Sequence, residues 1–222
     1  MCRFIETICV VDGRPQALAY HRARVRDTVT AVQFSGITPE SGAVAEAEAA
    51  ADCLLQRALK QNTAHSAGRR AKLRVAYRVD SAPAPTAVEI EQATLTPYRL
   101  PKIRSLRLVD GGDIEYRLKY SDRSALERLY RRRGRCDDIL IVRRGLLTDT
   151  FICNVGLYDG FRWQTPAGPL LAGTRRARLI DQGCIEPAAI SAAGLGRYTQ
   201  LALFNAMIDL GELVLPVTAV CE

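Results

Sequence analysis

One lysine lies where its amine could act as a nucleophile. Lys119 stands in the run R-L-K-Y-S-D-R between Arg117 and Arg123, and the other lysines of the 222-residue chain are Lys60, Lys72 and Lys102. Neighbouring cations and removal from water both lower the pKa of an amine, which can then attack a carbonyl carbon. Taken alone, Lys119 also fits an ordinary surface lysine whose methylene chain covers apolar neighbours.

An aspartate within an apolar strand is the second feature. Asp149 lies in the run L-L-T-D-T-F-I-C-N-V, where a carboxylate is costly to bury unless it has a partner. A protonated ring nitrogen of an aromatic cofactor is a partner of that kind. The alternative is an aspartate on an edge strand that faces water.

Three local patterns could bind a phosphate. The run H-R-A-R offers Arg24 near the start of a predicted helix, and arginine binds phosphate through two parallel hydrogen bonds. A later helix is expected to open at Gly173 and Thr174, and a helix N-terminus presents free N–H groups to anions. The turn F-N-A-M, which contains Asn205 and Ala206, could offer further amides. Each pattern alone also fits a solvated helix or an ordinary turn.

The elements that must position these residues are predicted to form two domains. Apolar alternation, apolar stripes and turn signals predict a small α+β domain over residues 1–100, with helices at 21–32 and 43–62 and strands at 4–11, 15–19, 72–79 and 86–92. The larger domain, residues 101–222, is predicted to contain helices at 122–132 and 173–182 and strands at 103–109, 138–143, 146–148, 152–158, 161–165, 198–204 and 213–217. We therefore expect an α/β (α+β) chain with two domains.

Composition and charge limit the class of protein. The chain is 48% hydrophobic and 25% charged, which suits a globular enzyme. Its net charge of +7 could indicate a nucleic-acid binder, but the arginines are spread along the chain. Seven scattered cysteines and two histidines lack the short spacing of a zinc site. Arg3 and Glu6 interrupt the first apolar stretch, so we expect no signal peptide. We expect a cytoplasmic enzyme that binds no metal, no nucleic acid and no membrane.

The order of these motifs resembles the class IV aminotransferase family, the fold-type IV pyridoxal 5'-phosphate enzymes. The similarity runs from Phe4 to Val217 in five pieces: F-I-E-T-I with H-R-A-R, K-Y-S-D-R, G-L-L-T-D-T-F-I-C-N-V, L-L-A-G-T-R-R, and F-N-A-M before L-P-V. The family includes branched-chain and D-amino-acid aminotransferases and 4-amino-4-deoxychorismate lyase. The resemblance implies a homodimer of two-domain chains, with the cofactor in the cleft between a small N-terminal domain and a larger C-terminal domain.

The resemblance also assigns roles to individual residues. Lys119 corresponds to the lysine that forms a Schiff base with the cofactor and then acts as a general base, and Asp149 corresponds to the acid that partners the pyridine nitrogen. Asn154 lies five residues after that acid, as the family's asparagine does. The residues implied to bind the phosphate are Arg24, Gly173, Thr174, Arg175, Asn205 and Ala206.

Departures from the family pattern bear on the reaction. Asp149 stands where the family usually has glutamate, so its shorter side chain must come closer to the ring. The arginine and histidine with which D-amino-acid aminotransferases bind a carboxylate have no clear match. The run N-A-M resembles the lyases of the family, and the supply of arginines suits a small dicarboxylate amino substrate. Both favour 4-amino-4-deoxychorismate lyase, which releases pyruvate and leaves 4-aminobenzoate. The alternatives are an amino-acid aminotransferase and, from another class, a non-catalytic binding module on this fold.

Overall fold

Two compact units make up the chain. The structure, a computed structural model, describes residues 2–34, 40–62, 70–81 and 88–221. Unit 1 comprises Met1–Arg99 and Leu118–Asp122, and unit 2 comprises Leu100–Arg117 and Arg123–Glu222. The sequence division at residue 100 placed Lys119 in the C-terminal part, whereas its segment clusters with the N-terminal unit. Among the described helices, none is long and apolar enough to cross a membrane.

Unit 1 contains a four-stranded antiparallel sheet in the order β2-β1-β3-β4. Its strands are β1 (Cys2–Val11), β2 (Arg14–Pro15), β3 (Ala71–Val79) and β4 (Val88–Pro97). The turn between β1 and β2 is Asp12-Gly13, and both residues have the positive φ that a two-residue hairpin turn of this kind requires. Strict alternation of buried and half-buried residues along β3 confirms that one face of the sheet is covered. Residues 82–87, which include the start of the predicted strand 86–92, lie outside the described residues.

Two helices pack on the covered face of this sheet. They are α1 (Leu18–Gln33) and α2 (Ser41–Asn62). Their apolar stripes meet alternate residues of β1 and β3 in one core that includes Phe4, Ile8, Val25, Leu55, Leu73 and Tyr77. The predicted strand 15–19 is wrong beyond Pro15, because Ala17 adopts the left-handed conformation (φ 52°) and α1 begins at Leu18.

Unit 2 is built on a nine-stranded mixed sheet. The path of the sheet is β10-β9-β8-β7-β6-β5-β13, and β11 pairs with β8 and β12. The strands are β5 (Leu106–Asp110), β6 (Asp138–Arg143), β7 (Leu146–Thr150), β8 (Asn154–Tyr158), β9 (Trp163–Pro166), β10 (Glu186–Ala188), β11 (Gln200–Phe204), β12 (Val214–Pro216) and β13 (Val220–Cys221). The short strands β10 and β13 were not predicted. Strands β7 and β8 form an antiparallel pair, which places the predicted Asp149 directly opposite Asn154.

Two helices of unit 2 carry candidate residues or support them. They are α3 (Ser124–Arg131) and α4 (Thr174–Asp181). Helix α3 begins two residues later than the predicted helix 122–132; its N-cap is Arg123, whose side chain makes no capping hydrogen bond. The N-cap of α4 is Gly173, which agrees with the predicted start of that helix.

Candidate functional site

The backbone on either side of Lys119 is fixed by the beginning of β1. The Ile5 N–H donates to the Lys119 carbonyl oxygen (2.9 Å), and the Ser121 N–H donates to the Arg3 carbonyl oxygen (3.0 Å). The ring of Tyr120 lies 5.2 Å from the ring of Phe4, centroid to centroid. Because β2 pairs only with Val10 and Val11, this end of β1 is open to the Lys119 segment. The short segment thereby gains a defined position in unit 1.

The buried carboxylate of Glu6, on β1, binds His21 and Arg24 of α1. The Nδ1 atom of His21 lies 2.7 Å from Oε2 of Glu6. Arg24 donates from Nε to Oε1 (2.7 Å) and from Nη2 to Oε2 (2.6 Å). Side-chain exposure is 0% for Glu6, 1% for His21 and 13% for Arg24. The sequence placed Arg24 on this helix but did not identify Glu6 as its partner.

The ionisation of this group follows from burial and charge. Burial alone would raise the pKa of Glu6, but Arg24 and His21 together hold it well below its usual range. Burial lowers the pKa of His21; Glu6 opposes this effect, and the positive charges of Arg24 and Lys119 add to it. We therefore assign an ionised Glu6 and a neutral His21 that donates from Nδ1 at neutral pH. The charge of Lys119 thus acts on His21 within the same unit.

In unit 2, Asp149 is held by neutral donors. Its Oδ1 accepts from Nδ2 of Asn154 (2.8 Å), and its Oδ2 accepts from the Leu171 N–H (2.9 Å). Asn154 also donates to the Leu171 carbonyl oxygen (2.9 Å). Asp149 is buried, which decides against the water-facing edge-strand alternative.

Burial dominates the electrostatics of Asp149. It raises the pKa of this carboxyl to about 6, although the Leu171 amide, Asn154 and the charge of Arg176 lower it. The groups that donate hydrogen bonds to its two oxygens are neutral amides. A cation placed against it would stabilise the ionised form, because opposite charges in a buried setting interact strongly.

The N-terminus of α4 touches the same cluster. A Cβ atom on Gly173 would lie 2.0 Å from Oδ1 of Asn154, so only glycine fits here without displacing the asparagine. The first hydrogen bond of the helix runs from the Ala177 N–H to the Gly173 carbonyl oxygen. The N–H groups of Thr174 and Arg175 precede that bond, and glycine has no side chain to cap them. Such groups favour an anion.

The Asn205 turn lies beside this helix end. Arg175 donates from Nη1 to Oδ2 of Asp209 (2.9 Å), which joins the two predicted phosphate-binding segments. Asn205 accepts from the amides of Met207 and Ile208 at its own Oδ1 (2.8 and 3.2 Å), and its N–H donates to the Ile208 carbonyl oxygen. These three amides are therefore engaged within the turn, and the role assigned to Asn205 stays a prediction, as does that of Ala206.

The turn between β7 and β8 is held by Arg123, which was considered from the sequence only as a cationic neighbour of Lys119. Arg123 donates from Nη2 to the Phe151 carbonyl oxygen (2.6 Å), and its guanidinium lies 4.3 Å from the centroid of the Phe151 ring. That ring stacks on Tyr130 of α3, with centroids 4.3 Å apart. Oδ1 of Asp138 accepts from the Phe151 N–H (3.3 Å). These contacts fix the turn that connects Asp149 to Asn154.

The candidate residues thus form one group in each unit. Unit 1 groups Arg24 and Lys119 with His21 and Glu6. Unit 2 contains the other seven, namely Asp149, Asn154, Gly173, Thr174, Arg175, Asn205 and Ala206. In the part of the chain that the structure describes, no cluster of three or more His, Cys, Asp or Glu side chains could hold a metal ion; His65 is outside that part.

Known proteins are similar to this chain over much of its length. A Haemophilus influenzae protein with no assigned function is 38% identical over 119 residues, which cover 54% of this chain and 63% of that protein. This chain therefore aligns with less than two thirds of that relative.

Two solved structures match nearly the whole chain. A candidate 4-amino-4-deoxychorismate lyase from Haemophilus somnus is 27% identical with a TM-score of 0.74, and the match covers 95% of this chain and 98% of that one. A candidate amino-acid aminotransferase from Mesorhizobium loti is 24% identical with a TM-score of 0.70 over 100% of both chains, which shows the shared fold.

The fold class expected from the sequence is confirmed, because the mixed α/β architecture in two units matches fold-type IV enzymes. The family model described as amino-transferase class IV matches residues 3–220. With almost all of its length inside that match, the chain belongs to the class IV aminotransferase family.

Proposed function

We propose that this protein is a pyridoxal 5'-phosphate-dependent enzyme that acts on the amino group of a small substrate, and that it is a 4-amino-4-deoxychorismate lyase. The observation that carries the cofactor proposal is the cluster around Asp149. A buried carboxylate held by two neutral donors and the uncapped start of a helix beside it together suit a cationic ring nitrogen and a phosphate.

The residues of both units fit this cofactor chemically. Asp149 would accept the hydrogen bond of the ring nitrogen, and the amides of Thr174 and Arg175 would bind the phosphate together with Arg24. Lys119 would hold the aldehyde carbon through its Nζ atom. The bound cofactor supplies an electron sink that stabilises negative charge on the substrate carbon next to the amine.

Proton transfer is the task proposed for Lys119 once a substrate amine has replaced it. Its free amine would take the proton from the substrate carbon that carries the amino group. Ionised Asp149 would favour this step by keeping the ring nitrogen protonated. Because the imidazole of His21 is neutral, His21 adds no positive charge that would act on the amine of Lys119.

The choice of lyase is supported by the relative from Haemophilus somnus, which carries that candidate function at 27% identity over nearly the full length. The run Asn205-Ala206-Met207 resembles the sequence that lyases of the family often carry at this turn, and the net charge of +7 agrees with a dicarboxylate substrate. The second candidate is transamination of an amino acid, because the same lysine and acid serve both reactions and the shape of the substrate pocket decides between them. The family resemblance also leads us to propose a homodimer.

Labelling tests the cofactor and the lysine together. The purified protein is mixed with pyridoxal 5'-phosphate, its visible absorbance is recorded, and borohydride reduction is followed by peptide mapping. We expect a visible band and a label on Lys119, while Lys119→Ala loses both. Lys102→Ala, an exposed lysine of unit 2, is the matched control and should keep them. No band with the wild type would support the binding-module alternative, and a label on another lysine would reassign the site.

Product analysis separates the two reactions. The enzyme is incubated with 4-amino-4-deoxychorismate and, separately, with a panel of amino acids and keto-acid acceptors. Formation of 4-aminobenzoate with an equal amount of pyruvate supports the lyase. Keto acids formed from the amino-acid panel, with no 4-aminobenzoate, would support the aminotransferase instead.

A further inference from the structure

We propose that Glu6 is a positioning residue, which orients the guanidinium of Arg24 so that its end, and not its side, meets the phosphate of the cofactor. This inference rests on the proposed function, because Arg24 is assigned to the phosphate through the family resemblance. It concerns a residue of β1 that the sequence did not single out as part of the site.

The geometry of the ion pair sets the orientation. Glu6 accepts from Nε and Nη2 of Arg24, at 2.7 and 2.6 Å, which is the side-on pairing of a carboxylate with the guanidinium fork. A guanidinium has five N–H donors in a fixed plane. The donors that Glu6 does not engage are those of Nη1 and the second proton of Nη2, so an anion bound by Arg24 would approach along that end of the plane.

Glu6 is itself prevented from moving. It is 0% exposed, and β1, which carries it, pairs with β3 along residues 2–10. His21, one turn before Arg24 on α1, occupies Oε2 from a second direction at 2.7 Å. Arg24 is a long side chain that would otherwise sample many rotamers. One rigid carboxylate thereby holds two residues of the same helix.

A purely structural ion pair is the competing interpretation. Buried pairs of this kind stabilise a fold only modestly once desolvation is counted, although removal of one partner is costly. The two interpretations differ in one measurable respect. A structural pair changes the stability of the protein, whereas a positioning pair also changes how much the phosphate group adds to cofactor affinity.

The test compares pyridoxal 5'-phosphate with pyridoxal, which lacks the phosphate. Dissociation constants of both aldehydes are measured by visible absorbance for the wild type, E6Q, E6D, R24Q and the double variant E6Q/R24Q. In each protein, the dissociation constant for pyridoxal is divided by the dissociation constant for pyridoxal 5'-phosphate. This ratio measures how much the phosphate group adds to cofactor affinity. Glu91, which pairs with Arg3 on the exposed side of the same sheet, provides the matched control E91Q.

We expect E6Q to lower this ratio by about tenfold, the factor that corresponds to about 1.4 kcal/mol, and the affinity for pyridoxal to change by less than about twofold. R24Q should lower the ratio at least as much, and the double variant should match R24Q, because Glu6 acts through Arg24. E91Q should keep the wild-type ratio.

E6D covers the case in which E6Q does not fold, as judged by circular dichroism and thermal melting. Aspartate keeps the charge but is shorter, so it cannot hold His21 and both nitrogens of Arg24 at their present distances. We expect its ratio to fall between those of the wild type and R24Q. If E6D or folded E6Q keeps the wild-type ratio while R24Q has a reduced ratio, the inference about Glu6 is wrong. The proposed function is not affected by that result. Absence of a visible band in the wild type would instead remove the proposed function, and the inference with it.

Discussion

Gly173 is the residue at which the candidate site leaves least space. A methyl group there would lie 2.0 Å from Oδ1 of Asn154, and Asn154 donates to both Asp149 and the Leu171 carbonyl. Gly173→Ala should therefore push the asparagine away and break these bonds. We expect a loss of about 2 kcal/mol in the free energy of unfolding, since each bond contributes about 1 kcal/mol, together with weaker cofactor binding.

Gly196 supplies the control for that change. It has open space where a Cβ would be added and no positive φ, so Gly196→Ala should leave unfolding by urea and the cofactor spectrum almost unchanged. If both alanine variants unfold at the same urea concentration as the wild type, the contact between Gly173 and Asn154 is unimportant.

The raised pKa of Asp149 makes a prediction about stability and pH. Burial raises it from an ordinary 3.8 to about 6, so the folded state binds this proton more tightly than the unfolded state. Its contribution to stability is present below the unfolded pKa, and it is lost as pH rises toward the folded pKa at about 1.4 kcal/mol per unit. In the cofactor-free protein, Asp149→Asn should remove that decline.

Urea unfolding at several pH values between 4 and 6 measures this effect as the wild-type stability minus that of the Asp149→Asn variant. We expect the difference to fall as pH rises through this window. Asp138 also has a pKa raised to about 6 by burial, so some decline should persist in the variant. A difference that stays constant with pH would show that the carboxyl of Asp149 titrates normally.

Among single residues, the sequence could indicate which side chains are candidates for catalysis or cofactor binding. It could not indicate which side chains they contact in the folded protein. Asp149 stood out because an acid between apolar neighbours needs a partner. Glu6 lies in a similarly apolar run, so the same signal could have identified it. Its partners His21 and Arg24 come from a different element, 15 and 18 residues away. Only the pairing of β1 with α1 in three dimensions reveals that contact.

The β7–β8 turn is the element whose conformation sets the spacing of Asp149 and Asn154. Arg123 binds its backbone at Phe151 and stacks on the Phe151 ring, and a lysine cannot reproduce both contacts because it lacks the planar fork. Arg123→Lys should cost about 1 kcal/mol of unfolding free energy and weaken cofactor binding. Arg128→Lys, on the exposed face of α3, is the control. Equal melting temperatures for the two variants would contradict this role of Arg123.

Most long elements were predicted within a few residues, whereas two of the shortest strands were not predicted. The helices α1, α2 and α4 and the strands β1, β3 and β6 begin and end within three residues of their predicted bounds. Strands β10 and β13 have three and two residues, too few for any period to show. The predicted strand 15–19 failed because Ala17, not a glycine, takes a left-handed conformation, and alanine gives no sign of it in the sequence.

At the scale of the whole chain, one boundary between the units lies at Arg99 and Leu100, and unit 1 also includes Leu118–Asp122. The segment Leu118–Asp122 belongs to unit 1 because its backbone is hydrogen-bonded to β1. Pairing between segments more than a hundred residues apart leaves no local pattern in the sequence. The sequence could therefore indicate Lys119 as a candidate, but not the unit in which its backbone is held.

The net charge of +7 leads to a prediction that concerns the molecule as a whole. A dicarboxylate substrate should be attracted over a distance set by the Debye length, which falls from about 30 Å at 0.01 M to about 8 Å at 0.15 M salt. We expect kcat/KM for lyase turnover to decrease across this range while kcat stays constant, because screening affects encounter and not the bound state. An amino acid without net charge, the substrate type of the aminotransferase alternative, should show little dependence. A kcat/KM for 4-amino-4-deoxychorismate that is flat with salt would mean that the excess of arginine does not serve substrate capture.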